Sequence, residues 1–386
     1  MVTGDVFMCR AISLIMALCV SLFSFQASAE EKPAFEISAP SAVLMDYTTG
    51  KILYEKNPDE KRPLASVTKI MTMLIAMEEI DAGRMSFDDI VTASEHAKSY
   101  GGSTIFLDAG EQMSVSDIMK GIAVASGNDA AVAMGEHISG SEEAFVRRMN
   151  QRAAELGMKN TNFINCNGLD AEGHYSTARD ISIMSRELMK HPGIFSYTTI
   201  WMDSLRNGEF TLTNTNKLVR FYSGATGLKT GSTSKAGFCV SATAKRDNMH
   251  LIAVIMGAET SKKRQADASA LLNHGFSSYG VCNVIDENTV VKTLKVNKGI
   301  KESVDVKTSK SCDYLYKKGD NTKYETKLRI KTVLNAPVKY GEHIGDMDVF
   351  VGETQIDRIP VVCADDVPKK IFSDFFREMC ALWIYA

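Results

Sequence analysis

Ser66 and Lys69 stand three residues apart where an apolar helical pattern begins, in Pro63-Leu64-Ala65-Ser66-Val67-Thr68-Lys69-Ile70-Met71-Thr72. No other stretch constrains the chain as much. Residues three apart on a helix share a face, so the serine Oγ and the lysine ammonium sit side by side. The pattern predicts a helix over 66–79, with Ile70, Met73, Leu74 and Met77 on one stripe and Gly83 closing it. A serine hydroxyl is a poor nucleophile until a neighbouring base takes its proton. Lysine is that base only where burial or a nearby cation lowers its pKa toward neutrality. The positive end of a helix also favours the forming alkoxide. Spacing alone decides nothing, since Ser232 and Lys235 repeat it.

The chain has 386 residues and a net charge of −3, enough length for two cores and no charge excess suited to nucleic acid. Arg10, the apolar run Ala11–Phe25 and Gln26-Ala27-Ser28-Ala29 read as a signal peptide over 1–29, cleaved after Ala29. Cys19 follows Leu18 rather than a small residue, which argues against a lipoprotein signal. The exported chain keeps Cys166, Cys239, Cys282, Cys312, Cys363 and Cys380, scattered and without a C-x-x-C pair. Free thiols are expected, and no metal site or cofactor follows from them.

Ser41–Tyr47 and Ile52–Glu55 flank a Gly50 turn as a β-hairpin. The segment 91–107 reads as loop. Helices are expected from Ser116, from Ala130, over 142–156, over 181–189 and over 262–276. Strands at 237–244 and 251–256 form an antiparallel pair around Arg246-Asp247-Asn248. Beyond Tyr279 only short alternating runs follow, a small all-β domain over 281–365. In 366–386, Ile371, Phe372, Phe375, Phe376, Met379, Leu382 and Trp383 share one helical face opposite Lys370, Asp374, Arg377 and Glu378. That pattern suits an interfacial membrane anchor and excludes a spanning helix.

Three motifs stand in order: Ser66-Val67-Thr68-Lys69, Ser126-Gly127-Asn128 and Lys229-Thr230-Gly231. Acyl transfer gives each a task. Ser66 is the nucleophile and Lys69 its base, with a pKa set by Asn128, Ser126 and Lys229. Ser126 relays a proton to the leaving amine, and Asn128 offers its amide to Lys69 and to a substrate carbonyl. Lys229 and Thr230 put a cation and a hydroxyl beside the cleft. Gly231 lacks the Cβ that would block a substrate strand along that edge. An oxyanion hole needs two aimed donors, here the backbone N–H groups of Ser66 and Ser232.

The motifs in this order, with Ala125-Ser126-Gly127-Asn128-Asp129-Ala130-Ala131, Thr226-Gly227-Leu228-Lys229-Thr230-Gly231-Ser232-Thr233, Gly168-Leu169-Asp170 and Ser176-Thr177-Ala178-Arg179-Asp180, resemble the serine-type D-alanyl-D-alanine carboxypeptidases among the low-molecular-mass penicillin-binding proteins. The resemblance implies an α+β fold. A penicillin-recognising serine transpeptidase-like domain over 30–280, an antiparallel sheet with flanking helices, precedes the small all-β domain and the C-terminal amphipathic helix. It implies peptidoglycan stems ending in D-Ala-D-Ala as substrate, β-lactams as covalent inhibitors, and action at the outer face of the cytoplasmic membrane. It also implies that Arg264 binds the substrate's terminal carboxylate, a task suited to a guanidinium fork; periodicity alone makes Arg264 an exposed helix residue. Ser232 departs from relatives that carry histidine there. A class A β-lactamase shares the three motifs, but Glu172, the only glutamate close in sequence to Cys166–Asp170, stands in an unmatched context. An alternative is a protein of the same fold that is acylated without turning over.

Overall fold

Residues 36–320 and 323–385 are described by a computed structural model. The signal peptide expected over 1–29 lies outside them. Strand β1 (Ser41–Asp46) pairs antiparallel with β2 (Ile52–Lys56), as the hairpin pattern predicts, with Gly50 at φ +72 between them. Helix α1 runs Lys69–Asp81, preceded by a 3-10 turn over Ala65–Thr68. Ser66 therefore lies on the tight turn, and Lys69 is the first residue of the α-helix. The expected single stripe is also too narrow: Met71, Ile75 and Ala76 are buried along with Ile70, Met73, Leu74 and Met77. A helix apolar all round belongs inside a core, and α1 is the core's centre.

The segment read as loop over 91–107 carries a short strand, Ile90–Thr92, paired with Gln112–Ser114, and one helical turn, Glu95–Lys98. These pieces are too short for a periodic signal to register. A helix over Val115–Lys120 loosens into a π turn, Gly121–Ala125, and ends at Ser126 with φ +64. Helix α2 (Asn128–Ser139) restarts at once. Helix α3 (Glu142–Glu155) is capped by Ser141, whose hydroxyl accepts from Ala144 N–H, and α4 (Ala178–Leu188) by Thr177 through Asp180 N–H.

Strands β3 (Ala225–Thr233), β4 (Gly237–Arg246) and β5 (Met249–Ala258) extend the expected pair to three, and α5 (Ser261–Ser278) follows. The antiparallel sheet has the order β2-β1-β5-β4-β3, so the first strand of the chain closes against β5 and β3 is left at an edge. Helix α4 packs against β5 and β1 on the face shared with α1, whereas α5 packs on β5 and β4. Edge strand β3 carries Lys229-Thr230-Gly231, in register with Ser241, Val240 and Cys239 of β4.

Eight further strands follow α5: β6 (Tyr279–Ile285), β7 (Val290–Asn297), β8 (Ser303–Thr308), β9 (Cys312–Lys317), β10 (Tyr324–Ile330), β11 (Val333–Asn335), β12 (His343–Val351) and β13 (Thr354–Cys363). Six form a sheet of order β10-β12-β13-β8-β7-β11, and β6 pairs with β9. Their inward residues, among them Leu294, Val306, Val349 and Val361, make a separate core. Helix α6 (Phe372–Tyr385) follows the β-domain. The architecture is the α+β arrangement expected, and Cys166, Cys239, Cys282, Cys312, Cys363 and Cys380 are all unpaired.

Candidate active site

Lys69 is wholly buried, and its Nζ lies 3.1 Å from Ser66 Oγ, 2.6 Å from Asn128 Oδ1 and 2.6 Å from the Asn167 carbonyl oxygen. Two of these partners only accept. The Asn128 amide is oriented by its own Nδ2, which donates to Gly101 O at 2.7 Å and so leaves Oδ1 toward the lysine. An ammonium spends its three protons on the three oxygens. A neutral amine has two protons and one lone pair. The protons go to the two obligate acceptors, and the lone pair is left facing the only partner that can donate, the Ser66 hydroxyl. Burial pushes the Lys69 pKa down to about 7, against smaller opposing effects of Cys166 and Asp129. Desolvation, rather than Ser126 or Lys229, lowers it, and the three bonds holding the lysine do not include Ser126.

The nucleophile turn is braced from several sides. Ile164 N–H donates to His174 Nδ1, so the ring proton sits on Nε2 and is given to Thr68 Oγ1 at 2.8 Å. Thr68 in turn donates to Ala65 O at 2.8 Å, closing the turn around Ser66. Burial holds the His174 pKa down at about 4, so the imidazole stays neutral. Ala65 takes φ +49 to make the bend. Gly168 packs directly behind it, where a Cβ would fall 2.0 Å from Ala65 O.

Edge strand β3 closes the site. A Cβ on Gly231 would lie 2.6 Å from Ser66 N and 2.9 Å from Val67 N. The glycine is therefore needed for the strand to touch the nucleophile turn, a different reason from the one the sequence suggested. Thr230 Oγ1 donates to Thr215 Oγ1, and Thr215 N–H donates to Val124 O, tying the strand to the turn that carries Ser126. Lys229 is buried, with Nζ donating to Thr230 O, and burial first, then the positive charges of Lys69 and Arg264, push its pKa well down. Ser232 is exposed at the strand's outer end. Arg264 is not the exposed residue that periodicity implies. It is 6% exposed, with Nη1 3.5 Å from Gly231 O and 3.4 Å from Cys239 O, Nη2 3.1 Å from Ser261 Oγ, and a buried Nε without a partner. Asn128 Nδ2 spends one of its two protons on Gly101 O, so its second proton is the one available to a substrate carbonyl.

A half-buried serine and a desolvated lysine thus lie against the edge strand of a β-sheet. A family model described as D-alanyl-D-alanine carboxypeptidase matches residues 26–260, and one described as penicillin-binding protein 5, C-terminal domain, matches 279–369. The chain belongs to the D-alanyl-D-alanine carboxypeptidase family. It is 44% identical over 349 residues to D-alanyl-D-alanine carboxypeptidase DacF of Bacillus subtilis, covering 89% of this chain and 90% of that one. Penicillin-binding protein 5 from Haemophilus influenzae superposes with a TM-score of 0.73 at 32% identity, over 87% of this chain and 99% of that one. Penicillin-binding protein D2 from Listeria monocytogenes, in its ampicillin-bound form, gives 0.58 at 31%, over 63% and 100%. Like other serine-type D-alanyl-D-alanine carboxypeptidases, this chain is a hydrolase.

Sequence reasoning missed Asn167 O, Thr68 and His174. Backbone carbonyls and turn-bracing side chains leave no motif. Glu172, set aside on its sequence context, is exposed, and the carboxylate that reaches the loop is Glu142, from α3, bonded to Cys166.

Gly231→Ala should keep the fold, read by circular dichroism, and slow covalent labelling by a β-lactam by about 100-fold, because the added methyl shifts the nucleophile turn. Labelling at the wild-type rate would show that β3 does not set the position of Ser66.

Proposed function

We propose that the chain removes the terminal D-alanine from peptidoglycan stem peptides ending in D-Ala-D-Ala, through an acyl-enzyme on Ser66. The observation that carries this reading is the lone pair of Lys69, which two obligate acceptors leave facing the Ser66 hydroxyl. Ser66 Oγ attacks the carbonyl carbon of the penultimate residue while its proton passes to Lys69 Nζ. The oxyanion is received by the N–H groups of Ser66 and Ser232. As the C–N bond breaks, Ser126 hands a proton to the amine of the departing D-alanine and takes one from Lys69 Nζ, which becomes neutral again. Water then attacks the ester while Lys69 takes its proton, and that proton returns to Ser66 Oγ as the acyl group leaves. Lys69 accepts a proton only when neutral, and the neutral fraction grows as pH rises through about 7, so acylation strengthens in that direction.

Charge supports the substrate class. Lys69, Lys229 and Arg264 are all buried, and burial first, then the positive charges of Lys69 and Arg264, push the Lys229 pKa down. An incoming carboxylate supplies the missing counter-charge. Arg264 reaches the Gly231 carbonyl from behind β3 and receives the terminal carboxylate there. Asn128 and Thr230 bound the same cleft. A β-lactam follows the same first step and stays on the serine, in keeping with the ampicillin-bound relative.

The leader over 1–29 supports export, and the reaction belongs at the outer face of the cytoplasmic membrane. Helix α6 is the anchor. Its described apolar side chains are turned to solvent, with Phe372 83% and Trp383 89% exposed, and no helix among the described residues is long and apolar enough to cross a membrane. Burying such a face in a lipid surface removes it from water without spanning the bilayer.

The first test measures D-alanine release from a pentapeptide stem by the wild type and Ser66→Ala. The wild type should release D-alanine and take one penicillin, and the variant should do neither. A wild type that binds penicillin but releases nothing would make this a binding protein of the same fold. In the second, a chain ending at Val367 should keep its activity on soluble peptide and leave the membrane fraction; a truncated chain that still pellets with membranes contradicts the anchor.

A further inference from the structure

Both acceptors that hold Lys69 depend on loops. Asn167 O belongs to the turn after Cys166, and Asn128 is oriented through Gly101 O, in the loop after Tyr100. Loop backbone lacks the ladder of bonds that fixes a helix or strand, so side chains must hold such atoms in place.

One carboxylate joins the two loops. Glu142, first residue of α3, accepts from Tyr100 Oη at 2.6 Å and from His96 Nε2 at 2.8 Å through Oε2. Its Oε1 accepts from Cys166 N–H at 3.3 Å and from Cys166 Sγ at 3.4 Å. The Cys166 carbonyl is itself bonded by Thr72 Oγ1 of α1 at 2.7 Å. Burial raises the Glu142 pKa, but the bonds from Tyr100, His96 and Cys166 outweigh it and hold the carboxyl below its usual range, so it stays ionised. Burial, with the Glu142 charge beside them, pushes the Tyr100 phenol and the Cys166 thiol up, so both remain donors. The helix start adds a favourable field for the anion.

We propose that Glu142 is a positioning residue for acyl transfer: by clamping Tyr100–Gly101 to Cys166–Asn167, it fixes the two acceptors that aim the Lys69 lone pair at Ser66. The proposal rests on Lys69 being the base. Glu142 touches neither reacting group among the described contacts, and acts through the two loops. Its position 76 residues after Ser66, on a helix that reads as an ordinary amphipathic one, hides this role from the sequence.

Glu142→Gln has one carboxamide oxygen to serve donors that two carboxylate oxygens served, and Tyr100→Phe removes a single strut. Single-turnover acylation by a chromogenic β-lactam separates the rate constant at saturation from the half-saturating concentration. For Glu142→Gln the rate constant should fall about 10- to 100-fold while half-saturation changes less than about 2-fold, since Arg264 and β3 are untouched. Tyr100→Phe should lose several-fold on the rate constant alone. Labelling of Glu142→Gln should still reach one per chain, on Ser66. A wild-type rate constant in Glu142→Gln overturns the proposal. So does a loss explained by fewer active chains, with the labelled fraction reacting at the wild-type rate. If Glu142→Gln does not fold, Tyr100→Phe decides, and a wild-type rate there overturns it. A wild type labelled elsewhere than Ser66 would instead remove the base assignment on which the proposal stands.

Discussion

A wholly buried lysine, facing two oxygens that cannot donate, is the constraint on which the rest of the structure depends. Burial alone would make Lys69 neutral and inert, because an amine in a dry core needs partners for its protons. Asn128 Oδ1 and Asn167 O supply them and, by supplying only two, leave the third direction to Ser66. The chemistry is thus written in which atoms can give a proton, and the fold's task is to keep those atoms where they are.

The architecture follows from that task. Helix α1 starts at Lys69 and is buried on every side, so the lysine enters the core on a rigid element while Ser66 stays half-exposed on the turn ahead of it. Gly168 and Gly231 press backbone against that turn from two directions, at distances no side chain permits. The π turn before Ser126 and the left-handed conformation of Ser126 itself bend the chain so that α2 can begin at Asn128, beside the lysine. Irregular turns of this kind cost conformational energy and persist where the surrounding structure holds them. The sheet presents its edge strand to the same place, which leaves one side of β3 open to an extended peptide.

Much of this was legible beforehand. The three motifs named Ser66, Lys69, Ser126, Asn128, Lys229, Thr230 and Gly231, and the structure brings their elements together; the hairpin, the strand pair and the β-rich segment after Tyr279 also formed where the patterns put them. Three things were not legible, each for a physical reason. Arg264 is buried because α5 packs on the sheet beneath β3, a tertiary fact invisible to helical periodicity. The reason for Gly231 is a backbone approach from a segment 165 residues earlier. Asn167 contributes a carbonyl, which every residue possesses and no motif can mark. The pKa of Lys69 likewise comes from burial, and no spacing of residues expresses burial.

The most direct test of the account is the titration of Lys69 itself, followed by NMR of lysine labelled at Cε and Nζ and assigned by comparison with Lys69→Arg. The midpoint should lie at about 7, far below the ordinary lysine value of 10.5. A Lys69 that titrates near that ordinary value would be charged throughout the neutral range, and would contradict its role as the base.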